Sequence, residues 1–392
     1  MQTSKYQPSR RMQSVQAPII PIIGNLIRET PHTISLGQGV VYYAPPPSAM
    51  ERLSVLDKSV DNHKYGPVEG ISELQSGFNS KLETENNINI DNGSRIVVTA
   101  GANMAFLNAL LAITDPGDEI ILPVPYYFNH EMAICMVNCK ARLVSTDSNY
   151  QLCADGIKAA INEHTRAVVT VSPNNPTGAV YPESVLRKIN CICKEHGIYH
   201  ISDEAYEYFT YNGVSHFSPG SIVGANEHTI SLFSMSKAYG FASWRIGYMV
   251  IPEHLAIAVM KVQDTNLICP SLASQYAALG ALEAGADYCK QKLAAIKTVR
   301  KNMLDELHSI NSFCITPTAD GAFYFMLKID IDMNSTDLAK QLIREHRVAV
   351  IPGDAFGMQD GCYLRVAYGE LGRSIANEGI RRLTRGLSTI IN

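Results

Sequence analysis

The sequence predicts an α/β fold: a mostly parallel central sheet with helices on both faces, joined to a smaller α+β domain. Three observations predict it. From about residue 95, short apolar runs alternate with helical segments, the pattern of a parallel sheet whose crossovers cover both faces. Beyond Pro270 the chain turns helical as far as about Ser309, then gives GAFYFMLKI, a helix near Ser335 to Glu345, the short VAVIPG and the run YLRVAYG. Finally, 392 residues exceed the length at which one core usually divides. Residues 63–284 are expected to form a large domain, 285–392 a small one, and 1–62 an arm with part of the small domain.

Taken in order, the elements begin with Arg10 and Arg11 ahead of the apolar stretch Ala17 to Ile27, which has the outline of a secretion signal. Pro18, Pro21, Gly24 and Asn25 interrupt that stretch and no small-residue cleavage site follows, so a short arm and an amphipathic helix are expected instead. The strands then fall at Arg95 to Thr99, Glu119 to Pro123, Ala141 to Ser145, Ala167 to Ser172, Tyr199 to Ser202 and Thr229 to Phe233. Helices such as Ala102 to Ile113 and Glu183 to His196 separate many of them, and the turn TDPGDE closes the first.

Composition narrows the function classes. With 46% hydrophobic and 18% charged residues the chain is an ordinary globular one, and no stretch approaches the ~20 apolar residues of a membrane span. A net charge of −4 gives no reason to expect nucleic acid. Nine cysteines without a paired framework or secretion signal point to a reducing compartment, so a cytoplasmic location is expected. No metal site is expected.

Open parallel sheets bind ligands beyond the carboxyl ends of their strands. Gly101, Ala102 and Asn103 follow one strand, Pro125 to His130 the next, and then come Pro173 to Gly178, Asp203 to Tyr206 and Ser234 to Lys237. In TAGAN a strand ends in glycine and a helix begins, so backbone N–H groups face outward where the helix dipole favours a phosphate. YHISDEAY sets a carboxylate straight after a buried strand, costly unless a cation partners it; a protonated pyridine nitrogen is such a partner. Tyr206, three residues on, lies on the same side of the turn. FSMSKAYGFASWRIGY places a lysine at a strand end among hydroxyls, with Arg245 eight residues later as a bidentate anion fork. Asn175 of SPNNPTG offers an amide donor. Each segment alone also has a structural explanation: a helix N-cap, turn chemistry, or a solvated surface charge.

The ordered set LGQG, YGPVEG, GAN, PYYFNH, NNPTG, SDEAY, SMSK, WRIGY, PGDAFG and YLRVAYG spans nearly the whole chain and resembles the class I/II aminotransferases of the pyridoxal 5′-phosphate (PLP) dependent fold type I. The resemblance implies that Lys237 is the Schiff-base lysine, that Asp203 pairs with the pyridine nitrogen, and that Asn175 and Tyr206 bond the phenolic oxygen. It implies a phosphate site of Gly101, Ala102, Asn103, Ser234, Ser236 and Arg245, completed by Tyr65 from the neighbouring subunit of a homodimer with shared sites. Tyr127 would stack on the pyridine, His130 stand behind the aspartate, Arg365 clamp the substrate α-carboxylate, and the backbone at Gly39 close over the substrate. The expected catalytic set is Lys237, Asp203 and Tyr206, the expected substrate contacts are Gly39, Asn175 and Arg365, and the reaction is transfer of an amino group between an L-amino acid and a 2-oxo acid.

DTNLICPSLASQ resembles the region where dicarboxylate-preferring relatives place a second arginine, yet it holds no cation. Neutral, aromatic or sulfur-containing side chains are therefore expected, unless Arg28 or Lys64 moves in. LGQGVVYYAPPPSAM departs from the usual family pattern, and Gln38, Tyr42 and Tyr43 are expected to line the substrate entrance. The alternative on the same fold is a PLP-dependent lyase or amino-acid cyclase.

Overall fold

The apolar runs as far as residue 252 form seven strands in a computed structural model that describes residues 6–90 and 93–391. They are β1 Ser94–Thr99, β2 Glu119–Val124, β3 Lys140–Ser145, β4 Thr165–Val171, β5 Tyr199–Asp203, β6 Thr229–Ser234 and β7 Gly247–Pro252. Their order across the sheet is β1-β7-β6-β5-β4-β2-β3. Neighbours run parallel except β7, which is antiparallel to both β1 and β6. This seventh strand is not among the expected ones. GYMVIP continues directly from the polar WRIGY loop, and a strand returning antiparallel inside the sheet breaks the strand–helix alternation that the sequence reading follows.

Successive residues of these strands point to opposite faces, and both faces are apolar. Val97, Val169, Ile201 and Leu232 meet Ala105, Phe106 and Ala109 of a helix at Ala102–Ile113. On the other face Ile121 and Val168 meet Leu186 and Ile189 of a helix at Glu183–His196. Burial on both sides fixes the register, so the loops at the strands' carboxyl ends are held on a rigid frame.

The second half supplies a four-stranded antiparallel sheet: β8 Cys314–Ile315, β9 Tyr324–Ile329, β10 Ile351–Pro352 and β11 Cys362–Ala367, in the order β10-β11-β9-β8. VAVIPG, expected as one short run, is divided. Val348–Ala349 pairs in parallel with Ile34–Ser35 of the arm, while Ile351–Pro352 joins the small sheet. The long helical stretch runs from Leu272 to Leu307 and is interrupted at Gly285, whose φ of 64° and ψ of −171° break the helix at the residue where the small domain is expected to begin. In the arm, an amphipathic helix at Ile19–Glu29 buries Ile23 and rests Ile19, Ile20, Leu26 and Ile27 on the core; residues 1–5 of the arm lie outside the described residues. Among the described residues no helix is long and apolar enough to cross a membrane, and no cluster of His, Cys, Asp or Glu could hold a metal ion.

Candidate functional site

The carboxyl ends of β4, β5 and β6, with the turn after β1 and the loop after β2, surround one cleft. Its lining includes Ala102, Asn103, Tyr127, Asn175, Asp203, Tyr206, Ser234, Ser236, Lys237 and Arg245. Segments spread between positions 102 and 245 thus converge as the strand-end rule expects.

At one end lies an anion cradle. The helix Ala102–Ile113 starts at Gly101 with no side-chain cap, so its first backbone N–H groups remain free for a ligand. Gly101 has φ 81°, and a Cβ there would sit 2.6 Å from Nη2 of Arg245. Glycine therefore lets the guanidinium close on the helix start. Arg245 also adopts a positive φ of 53°, and its Nη1 donates to the Ala242 carbonyl at 2.9 Å and lies 3.4 Å from the Ser236 hydroxyl. Ser234 Oγ accepts from the Ser236 backbone N–H at 3.1 Å, which folds both hydroxyls into the cradle.

In the middle stands Asp203, 5% exposed at the end of β5. Nε2 of His130 lies 3.1 Å from its Oδ2, and the Ala205 N–H donates to its Oδ1 at 3.1 Å. His130 packs against Phe106 with ring centroids 4.1 Å apart and meets Tyr127 edge-on at 5.1 Å. Tyr127 accepts from Asn129 at 2.8 Å and donates to Asn103 at 3.4 Å.

Lys237 donates its amine to the Gly39 carbonyl and lies over the Tyr206 ring at 5.6 Å. Burial, reinforced by the Arg365 and Arg245 charges against the pull of Asp203, brings its pKa down to about 8. An ammonium held between two guanidiniums gives up its proton more easily, as a lysine used as a nucleophile or base requires.

At the far end Arg365 is 2% exposed on β11. Its Nη1 donates to Asn175 Oδ1 at 3.0 Å and its Nη2 to the Gly37 carbonyl at 2.6 Å. Its Nε has no hydrogen-bond partner among the described residues. The guanidinium lies 4.6 Å from the Tyr324 ring and 5.0 Å from the Phe356 ring. Asn175 also reaches Tyr206, its Nδ2 lying 3.4 Å from the phenol oxygen.

Tyr65 and Tyr43 lie outside this cleft. Tyr65 is 80% exposed on the surface of this chain. Tyr43 is buried, and its hydroxyl bonds the Ala238 and Lys237 carbonyls at 3.1 and 3.3 Å, so it braces the lysine turn from behind rather than lining an entrance. Tyr42 is exposed, as an entrance residue can be. Arg28 bonds Asn25 on its own helix and Lys64 pairs with Asp61 at 2.7 Å, so neither reaches the cleft. The sequence reading missed Gly37, whose contribution is a carbonyl and carries no side-chain signal, and Tyr324, which sits inside the apolar run GAFYFMLKI and reads as core.

Comparison with known proteins agrees with this geometry. Residues 31–380 match the model of the family described as aminotransferase class I and II. The chain is 33% identical over 396 residues to aromatic aminotransferase ISS1 of Arabidopsis thaliana, covering 98% of this chain and 97% of that one. It is 33% identical over 341 residues to an aspartate aminotransferase of Pyrococcus abyssi, covering 86% and 87%. Among solved structures, the aspartate aminotransferase from Thermus thermophilus with maleate superposes with a TM-score of 0.89 at 29% identity, covering 97% of this chain and 100% of that one. The aromatic aminotransferase from Pyrococcus horikoshii OT3 gives 0.86 at 32% identity, covering 94% and 99%.

Proposed function

This chain belongs to the class I and II aminotransferases, and from that premise we propose a division of labour among its residues and a preference for amino acids with neutral or aromatic side chains. It is a PLP-dependent transaminase that moves an amino group between an amino acid and a 2-oxo acid.

The cleft fits PLP by its own chemistry. A helix start without a cap, two serine hydroxyls and the Arg245 guanidinium suit a phosphate dianion. Asp203 is a buried carboxylate with an open side toward the cleft, suited to a protonated ring nitrogen. Asn175 and Tyr206 offer hydrogen bonds to a phenolic oxygen, and Lys237 supplies the amine that joins the aldehyde carbon. When bound, PLP supplies the electron sink that makes the substrate Cα–H acidic.

The chain's own groups do the rest. Arg365 grips the α-carboxylate with its planar fork, and the partnerless Nε is the donor left for it. Asn175 holds that fork in line with the cofactor site. So oriented, the Cα–H bond faces the Lys237 amine, which would take the proton from Cα and deliver it two bonds away, at the carbon the cofactor's aldehyde brings, a task suited to a base with pKa near 8. Asp203, braced by His130, keeps a proton on the ring nitrogen throughout.

The side-chain preference rests on a charge count. The cations of the cleft are Lys237, Arg245 and, beside it, Arg365, each already engaged, so none is left among the described residues for a second substrate carboxylate. A homodimer places the exposed Tyr65 of each copy at the other's phosphate cradle, and the cytoplasm is the compartment that suits nine free cysteines.

The observation that carries this reading is the convergence of Lys237, Asp203, Asn175 and Tyr206 on one cleft, with Arg365 joined to it through Asn175. The test is a single half-reaction: holoenzyme given one amino donor and no acceptor. Transamination releases one equivalent of 2-oxo acid per site and stops. Continuous release of 2-oxo acid with ammonia would mean elimination instead. Faster conversion with phenylalanine, tyrosine or methionine than with aspartate supports the side-chain preference, and the reverse order removes it.

A further inference from the structure

Tyr324 occupies a position that none of the roles above explains. It lies on β9 of the small sheet, fully buried, yet its hydroxyl meets that of Tyr206, which follows the large sheet's β5, at 2.7 Å across a sequence separation of 118. Its ring stands against the Arg365 guanidinium at 4.6 Å. Around this pair the contacts close a ring: Arg365 to Asn175, Asn175 to Tyr206, Tyr206 to Tyr324, and the Tyr324 face back to Arg365. A Cβ at position 39 would approach the Tyr324 hydroxyl to 2.6 Å, so Gly39 leaves the room in which that hydroxyl sits.

A buried phenol that serves packing alone needs no such arrangement, since phenylalanine fills the same volume without a polar group to satisfy. From the contacts we infer that Tyr324 is a positioning residue: its hydroxyl donates to the oxygen of Tyr206 and so directs the Tyr206 proton toward the cofactor's phenolic oxygen, while its ring holds Arg365 in line with the same site. This rests on the reading of Tyr206 as a partner of that oxygen. Consecutive O–H donors polarise one another, so each strengthens the next. The chain runs from the small sheet, which carries the carboxylate clamp, to the large sheet, which carries the cofactor cradle. The groups facing Tyr206 are Tyr324, Asn175, Tyr127, Arg365 and the Lys237 amine, with Asp203 three residues back on its own segment. Of these, Tyr324 is the phenol at hydrogen-bond distance.

A donor on the phenolic oxygen stabilises the form of the lysine-linked cofactor that has lost its proton, so it lowers the pH at which the bound cofactor changes colour. The experiment is a spectrophotometric titration of holoenzyme for the native chain, Tyr324→Phe, Tyr206→Phe and the double variant. Tyr324→Phe is expected to move the midpoint upward by roughly half a unit to one unit, the effect of one neutral hydrogen bond. Tyr206→Phe moves it further, and in the double variant the Tyr324 change adds nothing. A native midpoint in Tyr324→Phe, beside a shifted one in Tyr206→Phe, overturns the inference while leaving the role of Tyr206 intact. An equal Tyr324 effect with and without the Tyr206 hydroxyl also overturns it, because the residue would then act by another route. If Tyr206→Phe itself titrates as the native chain does, the assignment of Tyr206 falls and this inference with it. Should Tyr324→Phe fail to retain cofactor, 3-fluorotyrosine at position 324 is the second variant: its more acidic phenol is a stronger donor, so the midpoint must move downward, and an unmoved or raised midpoint counts against the inference.

Discussion

Lys81 and Lys237 are both drawn inward from solvent, and the protein treats them in opposite ways. Lys81 donates to the Glu207 carboxylate and to Asn86 Oδ1 at 2.7 Å, in a pair whose side chains are 6% and 10% exposed. Asn86 in turn donates to Glu207 at 2.8 Å and to Ser218 Oγ at 2.9 Å, so this ammonium is neutralised and hydrogen-bonded within a closed polar network. Lys237 has the carbonyl of Gly39 for its amine, and its charged neighbours are two arginines against one aspartate. The difference shows what makes a lysine reactive in a protein. Burial alone does not do so; burial with an incomplete set of partners does, because the proton is then held weakly.

The largest expected effects separate the two sites cleanly. Lys237→Ala is expected to reduce turnover by at least about 10⁴-fold, the upper range for loss of a general base, since the amine both attaches the cofactor and moves the proton. The same change leaves the fold intact. Lys81→Ala is expected to do the reverse: turnover per folded site persists, while stability falls by about 3–5 kcal/mol because Glu207 is left as an uncompensated buried charge. Denaturant unfolding and single-turnover rates on both variants check this. A Lys81→Ala chain as stable as the native one would mean that water reaches Glu207 and that the contrast is not one of neutralisation.

Asp203 and Glu207 give the comparison in acidic form. Glu207 faces a lysine of the protein itself, whereas Asp203 has His130 and an N–H on one side and the cleft on the other. Asp203→Ala is expected to retain cofactor through the anion cradle while slowing proton transfer at Cα by about 10²-fold or more, within the range for electrostatic stabilisers. Equilibrium dialysis of cofactor and the deuterium isotope effect on the half-reaction check it. A slowing of less than about tenfold, equivalent to roughly 1.4 kcal/mol, would remove Asp203 from the chemistry.

Arg365 extends the argument to geometry. Its fork holds Asn175 and the Gly37 carbonyl at once, which a lysine's point charge does not reproduce. Arg365→Lys is expected to lower kcat/KM about 10- to 100-fold for an amino acid, the worth of one charged hydrogen bond. A matched amine without a carboxylate should lose almost nothing. Equal losses for both substrates would make Arg365 a structural residue.

How far the sequence alone reveals these regions follows the same division. Lys237, Asp203 and Asn175 sit at or just after the ends of apolar runs, and the strand-end rule finds such positions because parallel strands place all their carboxyl ends on one edge of the sheet; Arg245 is found through its spacing of eight residues from Lys237. The Lys81–Glu207 pair was invisible, since both residues look like ordinary surface charges on helical or turn segments and meet across 126 positions. Tyr324 and Gly37 were missed for a related reason. One contributes a phenol from within a core strand and the other a backbone carbonyl, and each finds its partner only in the fold, Tyr324 where the small sheet meets the large one and Gly37 where the arm passes Arg365 of the small sheet. Tyr43 is expected at the entrance because LGQGVVYYAPPPSAM departs from the usual family pattern, whereas its partners are the backbone carbonyls of Lys237 and Ala238, which no pattern of side chains announces. The strand Gly247–Pro252 escaped because its direction, not its composition, is the exception.

The smallest expected effect tests the weak hold on the Lys237 proton directly. In the cofactor-free chain burial and the two guanidiniums lower this amine from 10.5 to about 8. Below about 8 the amine is charged in both the folded and unfolded chains, so the full cost of enclosing it is felt. Between about 8 and 10.5 the unfolded chain holds a proton that the folded chain has released, and stability therefore rises with pH, by at most about 1.4 kcal/mol per unit. Above that window both forms are neutral and the cost is gone. Lys237→Met removes the titrating group while keeping the stem, so the stability difference between native and variant isolates this single proton from every other group. The variant is expected to be the more stable at neutral pH, with the gap narrowing as pH climbs through the window. A difference that stays flat would mean that Lys237 keeps an ordinary ammonium when folded, and the incomplete partnership that sets it apart from Lys81 would then be a matter of access rather than of charge.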